Sequence, residues 1–262
     1  MKYSRLLSSL AVIVVFGALV WGGAWFWSVG SVAAEYLPGI RIQVKSGTVE
    51  LRKASETAFQ TVQDVMEIQP GDTVKTGTAS EAEILWGDLG VSRVAENSEV
   101  VIDDAPRDVS GEGAVIRLKV NAGRVWNRML KLLDLESSMQ VQTSDVVATV
   151  RGTSYGIIKQ PNCTEAAVTE SVVGISADGS GSEVLLADNE WGSFGANDCK
   201  APVRKLTPAD EWPAQERLKD ERFDRDYLAG LRSRFEARAE PIKNTPNWIV
   251  DTSEKLHLAL AT

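Results

Sequence analysis

The sequence predicts a mainly β protein: an antiparallel β-roll or two-layer sandwich-like domain over residues 35–200. One transmembrane helix within 1–34 precedes it, and a charged α-helix and tail over 201–262 follow. Three observations carry this reading. The chain opens on a long uncharged run. Its middle is a series of short Val/Ile/Thr-rich segments broken by Gly, Asp and Asn. Its last part is dominated by charges of both signs, with apolar residues at helical spacing.

The run from Leu6 to Ala34 carries no charge, and Lys2 and Arg5 precede it. Its apolar heart, Leu10 to Val29, would span roughly 30 Å as a helix, which matches a bilayer core. The upstream cations and the acidic Glu35 orient the segment with its N-terminus inside. Trp21, Trp25 and Trp27, with Phe26, cluster toward the exit side as an interfacial belt would. A cleaved signal peptide is the competing reading, since Ser31-Val32-Ala33-Ala34 offers small residues for cleavage. Length and the tryptophans favour a retained anchor. Either way the remainder is exported, and the expected location is the cell membrane, single-pass, with the C-terminal domain periplasmic or extracellular.

From Ile40 to Phe194 the segments alternate or run apolar for only a few residues. Ile40–Val44 and Thr48–Leu51 flank Gly47, and Pro70-Gly71-Asp72 is a turn, with Pro setting φ and Gly the next position. Ala82–Trp86, Val91–Val94, Val100–Ile102, Val115–Val120 and Arg124–Trp126 follow as strands. Met139–Thr143, Val146–Val150, Ser154–Ile158, Ala166–Ile175 and Glu183–Leu186 complete the set. Strands this short, without helical crossovers, predict antiparallel pairing. Asn127–Leu135 reads as a short helix or a wide hairpin loop. Val44-x-x-Gly47-x-Val49 and Val120-x-x-Gly123-x-Val125 share one pattern, which predicts a strand–glycine bend–strand corner used more than once.

Composition narrows function. The 262 residues include one histidine, His257, and two cysteines. With that histidine close to the C-terminus, Ser-His-Asp triads, His-rich metal sites and four-cysteine zinc sites are not plausible designs. No catalytic, cofactor-binding or metal-binding residues are expected, and the protein is read as non-enzymatic. A net charge of −8 opposes phosphate binding, so no nucleic-acid partner is expected. In an oxidising compartment Cys163 and Cys199 are most simply one structural disulfide, worth about 3–4 kcal/mol on the chain-entropy model. A redox pair would more often be a close-spaced motif. Asn162-Cys163-Thr164 also fits the glycosylation tripeptide, a pattern common by chance.

Thr207-Pro208 suggests a helix start, with the regular helix beginning near Pro213 and stopped by Pro241. Phe223, Tyr227, Leu231 and Phe235, with Leu228 beside them, form one apolar stripe. It predicts a helix packed on the β-domain or one offered to a partner. Residues 244–262, with the Leu256-x-Leu258-x-Leu260 alternation, read as an edge strand or a tail.

In these motifs the chain resembles the FecR domain family, the exported β-domain of iron-citrate-type signal transducers, over about residues 44–194. The residues concerned are Gly47-Thr48-Val49, Ile68 to Gly77, Ala82-Glu83-Ile84-Leu85 and Asn97-Ser98. Leu118 to Val125 and the hallmark Val150-Arg151-Gly152-Thr153-Ser154-Tyr155-Gly156-Ile157 complete them. The residues singled out are Gly71, Asp72, Gly123, Arg151, Gly152 and Thr153. Gly71 suits a turn, Gly123 a bend, and Gly152 a position where a side chain would obstruct. Arg151 is expected to be partly buried against a carboxylate such as Asp72 or Asp88. Two features depart from the family. Gly87-Asp88-Leu89-Gly90 replaces the usual Asp-Gly-Ser turn, which puts the pairing there in question. Only Met1 to Arg5 precede the apolar run, so the resemblance implies the fold without the sigma-restraining role.

The expected function is therefore that of a non-catalytic, membrane-tethered exported domain that binds an envelope protein, a ligand or a surface polymer. The alternative is a subunit of an envelope signal-transduction system, and a purely structural envelope protein is a third reading.

Overall fold

The structure, a computed structural model, describes residues 39–87, 89–105, 115–130, 138–150, 152–177, 183–195, 199 and 201–243, with side chains described up to Gly230. The readings for 1–34, including Trp21, Trp25 and Trp27, lie outside the described residues, as do Asp88, Arg151 and residues 244–262. Among the described residues no helix is long and apolar enough to cross a membrane.

Among the described residues seventeen strands precede one helix. They are β1 (Arg41–Ser46), β2 (Val49–Arg52), β3 (Gln60–Thr61), β4 (Val65–Glu67), β5 (Thr73–Thr76) and β6 (Glu81–Leu85). Then come β7 (Gly90–Val94), β8 (Glu99–Asp104), β9 (Val115–Met129), β10 (Ser138–Gln142), β11 (Val146–Val150) and β12 (Ser154–Gln160). β13 (Cys163–Glu170), β14 (Val173–Ala177), β15 (Glu183–Leu186), β16 (Glu190–Gly195) and β17 (Arg204–Lys205) lead to α1 (Glu211–Lys243).

The pairings make two sheets. Sheet I runs β4-β1-β6-β7-β9-β12-β13-β16-β17. Sheet II runs β3-β2-β5-β8-β9-β10-β11-β14-β15. The long β9 belongs to both, with Val115–Ala122 in sheet II and Gly123–Met129 in sheet I. Arg124–Trp126 is thus not a separate strand, and Asn127–Met129 extends β9 rather than opening a helix or loop. Alternate positions from both sheets form a single apolar core: Ile84, Val94, Val125 and Ile157 of sheet I with Leu51, Val74, Ile102 and Leu118 of sheet II, for example. Each such fully buried side chain contributes about 1.5–3 kcal/mol of transfer free energy. Two-layer packing around one core is the arrangement the alternating segments predict.

Among the described residues all strand pairings are antiparallel except β9 with β10, which is parallel. The expectation of uniform antiparallel pairing therefore needs correction. β9 leaves sheet II at Gly123, so the chain must re-enter that sheet from the other layer, and it does so running the same way as it left.

Other elements differ in detail. Ala166–Ile175 is divided between β13 and β14 by Ser171, whose φ of 73° forces a turn. The altered turn at Gly87 leaves β6 and β7 fully paired, closed by the Trp86 amide on the Gly90 carbonyl at 3.0 Å. Gly87 and Gly90 supply φ values of 54° and 153° there.

The chain divides into two compact units between Thr207 and Pro208, because Arg204 and Lys205 still pair with β16. In the second unit Asp210, not Thr207, occupies the position before the helix, with its carbonyl accepting from the Ala214 amide at 3.4 Å. Pro213 lies in the first turn, where a missing N–H costs nothing. Pro241 does not stop α1, which continues to Lys243; a proline forfeits its own amide bond without barring its successors from helical dihedrals. On this helix the Phe223 and Tyr227 rings stack with centroids 6.2 Å apart, while Leu228 is exposed.

Candidate functional site

Three local devices stand out: two are built on the motif residues Gly71, Asp72, Gly47 and Gly123, and the third is an ion pair beside the disulfide. The first is a clamp at Asp72. Its side chain is fully buried, and Oδ1 accepts from the Ala54 amide at 2.9 Å. Oδ2 accepts from the Gln69 amide at 3.1 Å and from Lys53 Nζ at 3.0 Å. Lys53 also donates to the Glu67 carbonyl at 2.7 Å. One carboxylate thus ties the end of β2 to the turn before β5. Gly71 enters that turn at φ 92°, with its Cα hydrogen side against Ala54, whose Cβ would lie 2.6 Å from an added Cβ. The cation described on Asp72 is Lys53, which follows directly on β2, the strand that ends beside the turn.

The second device occurs twice. Gly47 (φ 70°) carries the chain from sheet I to sheet II between β1 and β2, and Gly123 (φ 88°) carries it from sheet II to sheet I within β9. Against each stands a buried serine. Ser80 Oγ accepts from the Thr48 amide at 2.8 Å and donates to the Thr78 carbonyl at 3.1 Å. Ser98 Oγ accepts from the Arg124 amide at 2.9 Å and donates to the Glu96 carbonyl at 3.1 Å. The residues before the serines, Ala79 and Asn97, share a φ of 53°. The pairing around the corners matches as well. β1 with β6 and β2 with β5 correspond to the first half of β9 with β8 and its second half with β7. The domain's first half is thus built on a local twofold repeat, which is the physical content of the repeated V-x-x-G-x-V pattern.

The third device latches the two sheets at one end. Lys159, on β12 of sheet I, is buried and donates to Asp145 Oδ2 at 2.9 Å, to the Gln160 carbonyl and to the Pro161 carbonyl at 3.3 Å. Asp145 lies in the β10–β11 turn of sheet II and also accepts from Thr164 Oγ1 at 2.8 Å. The Thr143 and Thr164 hydroxyls meet at 2.9 Å. Beside them Cys163 and Cys199 form the disulfide, Cα to Cα 5.6 Å, which fastens the chain after β16 to the start of β13. Burial pushes the Asp145 carboxyl up. The hydrogen bonds from Lys159, Thr164 and Ser144, together with the Lys159 charge, outweigh it and hold the group below the usual carboxylate range.

A depressed carboxyl contributes stability that is complete above its unfolded value of about 3.9. That contribution is lost as pH falls through the lower folded value. Asp145→Asn is therefore expected to cost about 2–3 kcal/mol at neutral pH, since Lys159 stays buried without its counter-ion. The stability curves of variant and parent should begin to converge below about pH 4 and meet only below the lowered folded value. Urea midpoints across pH 3–7 check this; parallel curves would remove the latch from the account.

On the open face of sheet II, Phe59 receives Arg52 at 5.2 Å and Lys75 at 4.6 Å from its ring centroid. Lys75 in turn pairs with Glu99 at 2.8 Å. The hydrogen bond from Lys75 leads in lowering the Glu99 carboxyl; burial opposes, and Asn121, the Lys75 charge and Arg52 add to it. Two cations thus share one aromatic ring, and one of them is paired with a carboxylate. Among the described residues no group of three or more His, Cys, Asp or Glu side chains could hold a metal ion.

Of the other singled-out residues, Gly152 has φ 75° and Thr153 is fully buried in the strand entry to β12. Sequence reasoning missed Ser80, Asp145 and Lys159, and it named Ser98 within the Asn97-Ser98 motif without assigning its role. The serines had a signal: Ser-Glu followed by a small apolar residue recurs at Ser80-Glu81-Ala82 and Ser98-Glu99-Val100.

Compared with known proteins, residues 72–174 match the family model described as FecR protein. That span contains Asp72, the Gly123 corner, Gly152, Thr153 and Cys163, and is shorter than the region over which the motifs recur. No curated protein matches the sequence. Among solved structures, a crystal structure of a candidate anti-sigma factor from Parabacteroides distasonis ATCC 8503, at 2.50 Å resolution, is similar at 12% identity with a TM-score of 0.43. The match covers 51% of this chain and 59% of that one. A second crystal structure of the same description, at 1.65 Å, gives a TM-score of 0.42 at the same identity and coverage.

Proposed function

We propose that this FecR-like β-domain is a non-catalytic binding module, held at a membrane by its N-terminal apolar run and displayed in the cell envelope to engage a protein, a ligand or a surface polymer. The FecR match across residues 72–174 carries the reading. Asp72, Gly123, Gly152 and Thr153 sit at a turn, a corner and the entry to β12, which supports a binding module over a catalyst. The acidic balance supports a protein or neutral polymer partner over an anionic lipid surface. The same family match favours a second reading, that of a signal-transduction subunit acting with a cytoplasmic regulator.

Fractionation of cells expressing the full chain, followed by crosslinking and affinity recovery, tests both. The expected result is a membrane-fraction protein released by detergent and not by salt, trapped with an envelope protein or polymer. Reproducible recovery of a sigma factor or a membrane kinase would favour the second reading. Full-length protein in the soluble cytosol would overturn both.

A further inference from the structure

The core of sheet I contains a polar row to which the proposed function gives no role. Ser92 on β7, Asn127 on β9 and Tyr155 on β12 are register partners across three adjacent strands, and all are fully buried. Trp86 Nε1 donates to Ser92 Oγ at 2.8 Å, and Ser92 Oγ donates to Asn127 Oδ1 at 2.7 Å. The chain of bonds stops there. Asn127 Nδ2 has no protein partner, nor does the Tyr155 hydroxyl, and both are shut off from solvent. A third atom shares this condition. Thr153 Oγ1 is also buried and unpartnered. The Met129 amide donates to the Thr153 carbonyl at 2.9 Å, so Thr153 stands opposite Met129. Residues two apart on a strand point to one face, which puts Thr153 on the side of Tyr155 and Asn127.

Three orphaned polar atoms on neighbouring cross-strand positions are hard to reconcile with a dry core. An amide or hydroxyl buried without a partner costs about 1–3 kcal/mol by mutational measures. We infer that this cluster is an internal binding site for ordered water, held between Asn127 Nδ2, Thr153 Oγ1 and the Tyr155 hydroxyl. The donor set suits water and nothing charged. Asn127 Nδ2 only donates, the two hydroxyls donate or accept, and no carboxylate or cation belongs to the orphaned group. A buried water typically makes two to four hydrogen bonds, and three are on offer. Burial also raises the Tyr155 phenol well above its ordinary value, so it stays a neutral donor at any working pH. The site would pin the register of β7, β9 and β12, because a one-residue slip would turn Asn127 and Tyr155 out of the core and break the bridge.

Tyr155→Phe tests this by sign. The substitution keeps the ring and removes only the hydroxyl. If the hydroxyl binds water, Tm falls by about 2–4 °C, as expected for losing one satisfied bond in a domain of this size. If it is orphaned, its removal leaves Tm unchanged or raises it, and the inference is overturned. Thr153→Val, nearly isosteric, gives an independent readout with the same signs. Water-to-amide cross-relaxation in solution supplies a third. Long-lived exchange peaks between water and the Asn127 side-chain amide are expected in the unmodified protein, and their absence would also overturn the site.

Discussion

Gly123→Val is expected to unfold the domain or to cost more than about 4 kcal/mol, well beyond an ordinary surface change. Two penalties add. The φ of 88° lies where L residues with a β-branched side chain are seldom found, a cost of about 1–3 kcal/mol. An added Cβ would also stand 2.5 Å from Ser98 Cα, which is backbone and cannot swing aside. The steric term would push Ser98 off the Arg124 amide and open the crossing of β9 between the sheets. Because the corner recurs, Gly47→Val should behave alike: φ is 70° and the nearest backbone atom is Ser80 Cα at 2.8 Å. Gly230→Ala is the contrasting control. It lies in α1 with nothing within 4 Å of an added Cβ, and should stabilise by about 0.5–1 kcal/mol. Urea titrations of all three, read by circular dichroism, check the ordering. A Gly123→Val protein within 1 kcal/mol of the parent would show that the corner is not constrained.

These two corners also mark how far the sequence reaches. Gly47 and Gly123 were legible because a glycine inside an alternating apolar run has few structural uses, and the pattern around it repeats. The strands with alternating Val and Ile were legible for the same reason: burial on one face imposes a period of two. β3, β4 and β17 were not, since two or three residues carry no period, and their pairing is decided by what lies alongside. The parallel β9–β10 pair was hidden because only the layer change at Gly123 makes it necessary. For the site, Asp72 was visible through its Pro-Gly-Asp turn, but its cation was not. Lys53 reaches it from β2 through an approach that no local spacing encodes. The polar row of Ser92, Asn127 and Tyr155 was hidden most deeply. Each residue sits at an inward position of its own strand, and only the register of three strands brings them together.

Asp72→Ala should cost about 3–5 kcal/mol, the range for removing one partner of a buried charge pair. Three donors lose their acceptor at once: the amides of Ala54 and Gln69 and the ammonium of Lys53. The carbonyl of Asp72 is unaffected and still accepts from the Ile102 amide at 3.0 Å, so damage should begin in the 53–72 region and not in β8. Hydrogen exchange would locate it there, with faster exchange at Ala54 and Gln69. Asp72→Asn separates charge from shape. An asparagine can keep Oδ1 on the Ala54 amide, but its NH₂ then faces the Gln69 amide and Lys53, both donors. It should therefore recover less than half of the alanine loss. Lys53→Met supplies the remaining corner of the cycle. Once the cation is gone, Asp72→Asn should cost about 1–2 kcal/mol less than in the parent, because the unpaired ammonium no longer adds to the penalty. If the two substitutions were simply additive, the carboxylate would act on the backbone amides alone. The clamp would then be a hydrogen-bonded turn on which Lys53 merely rests.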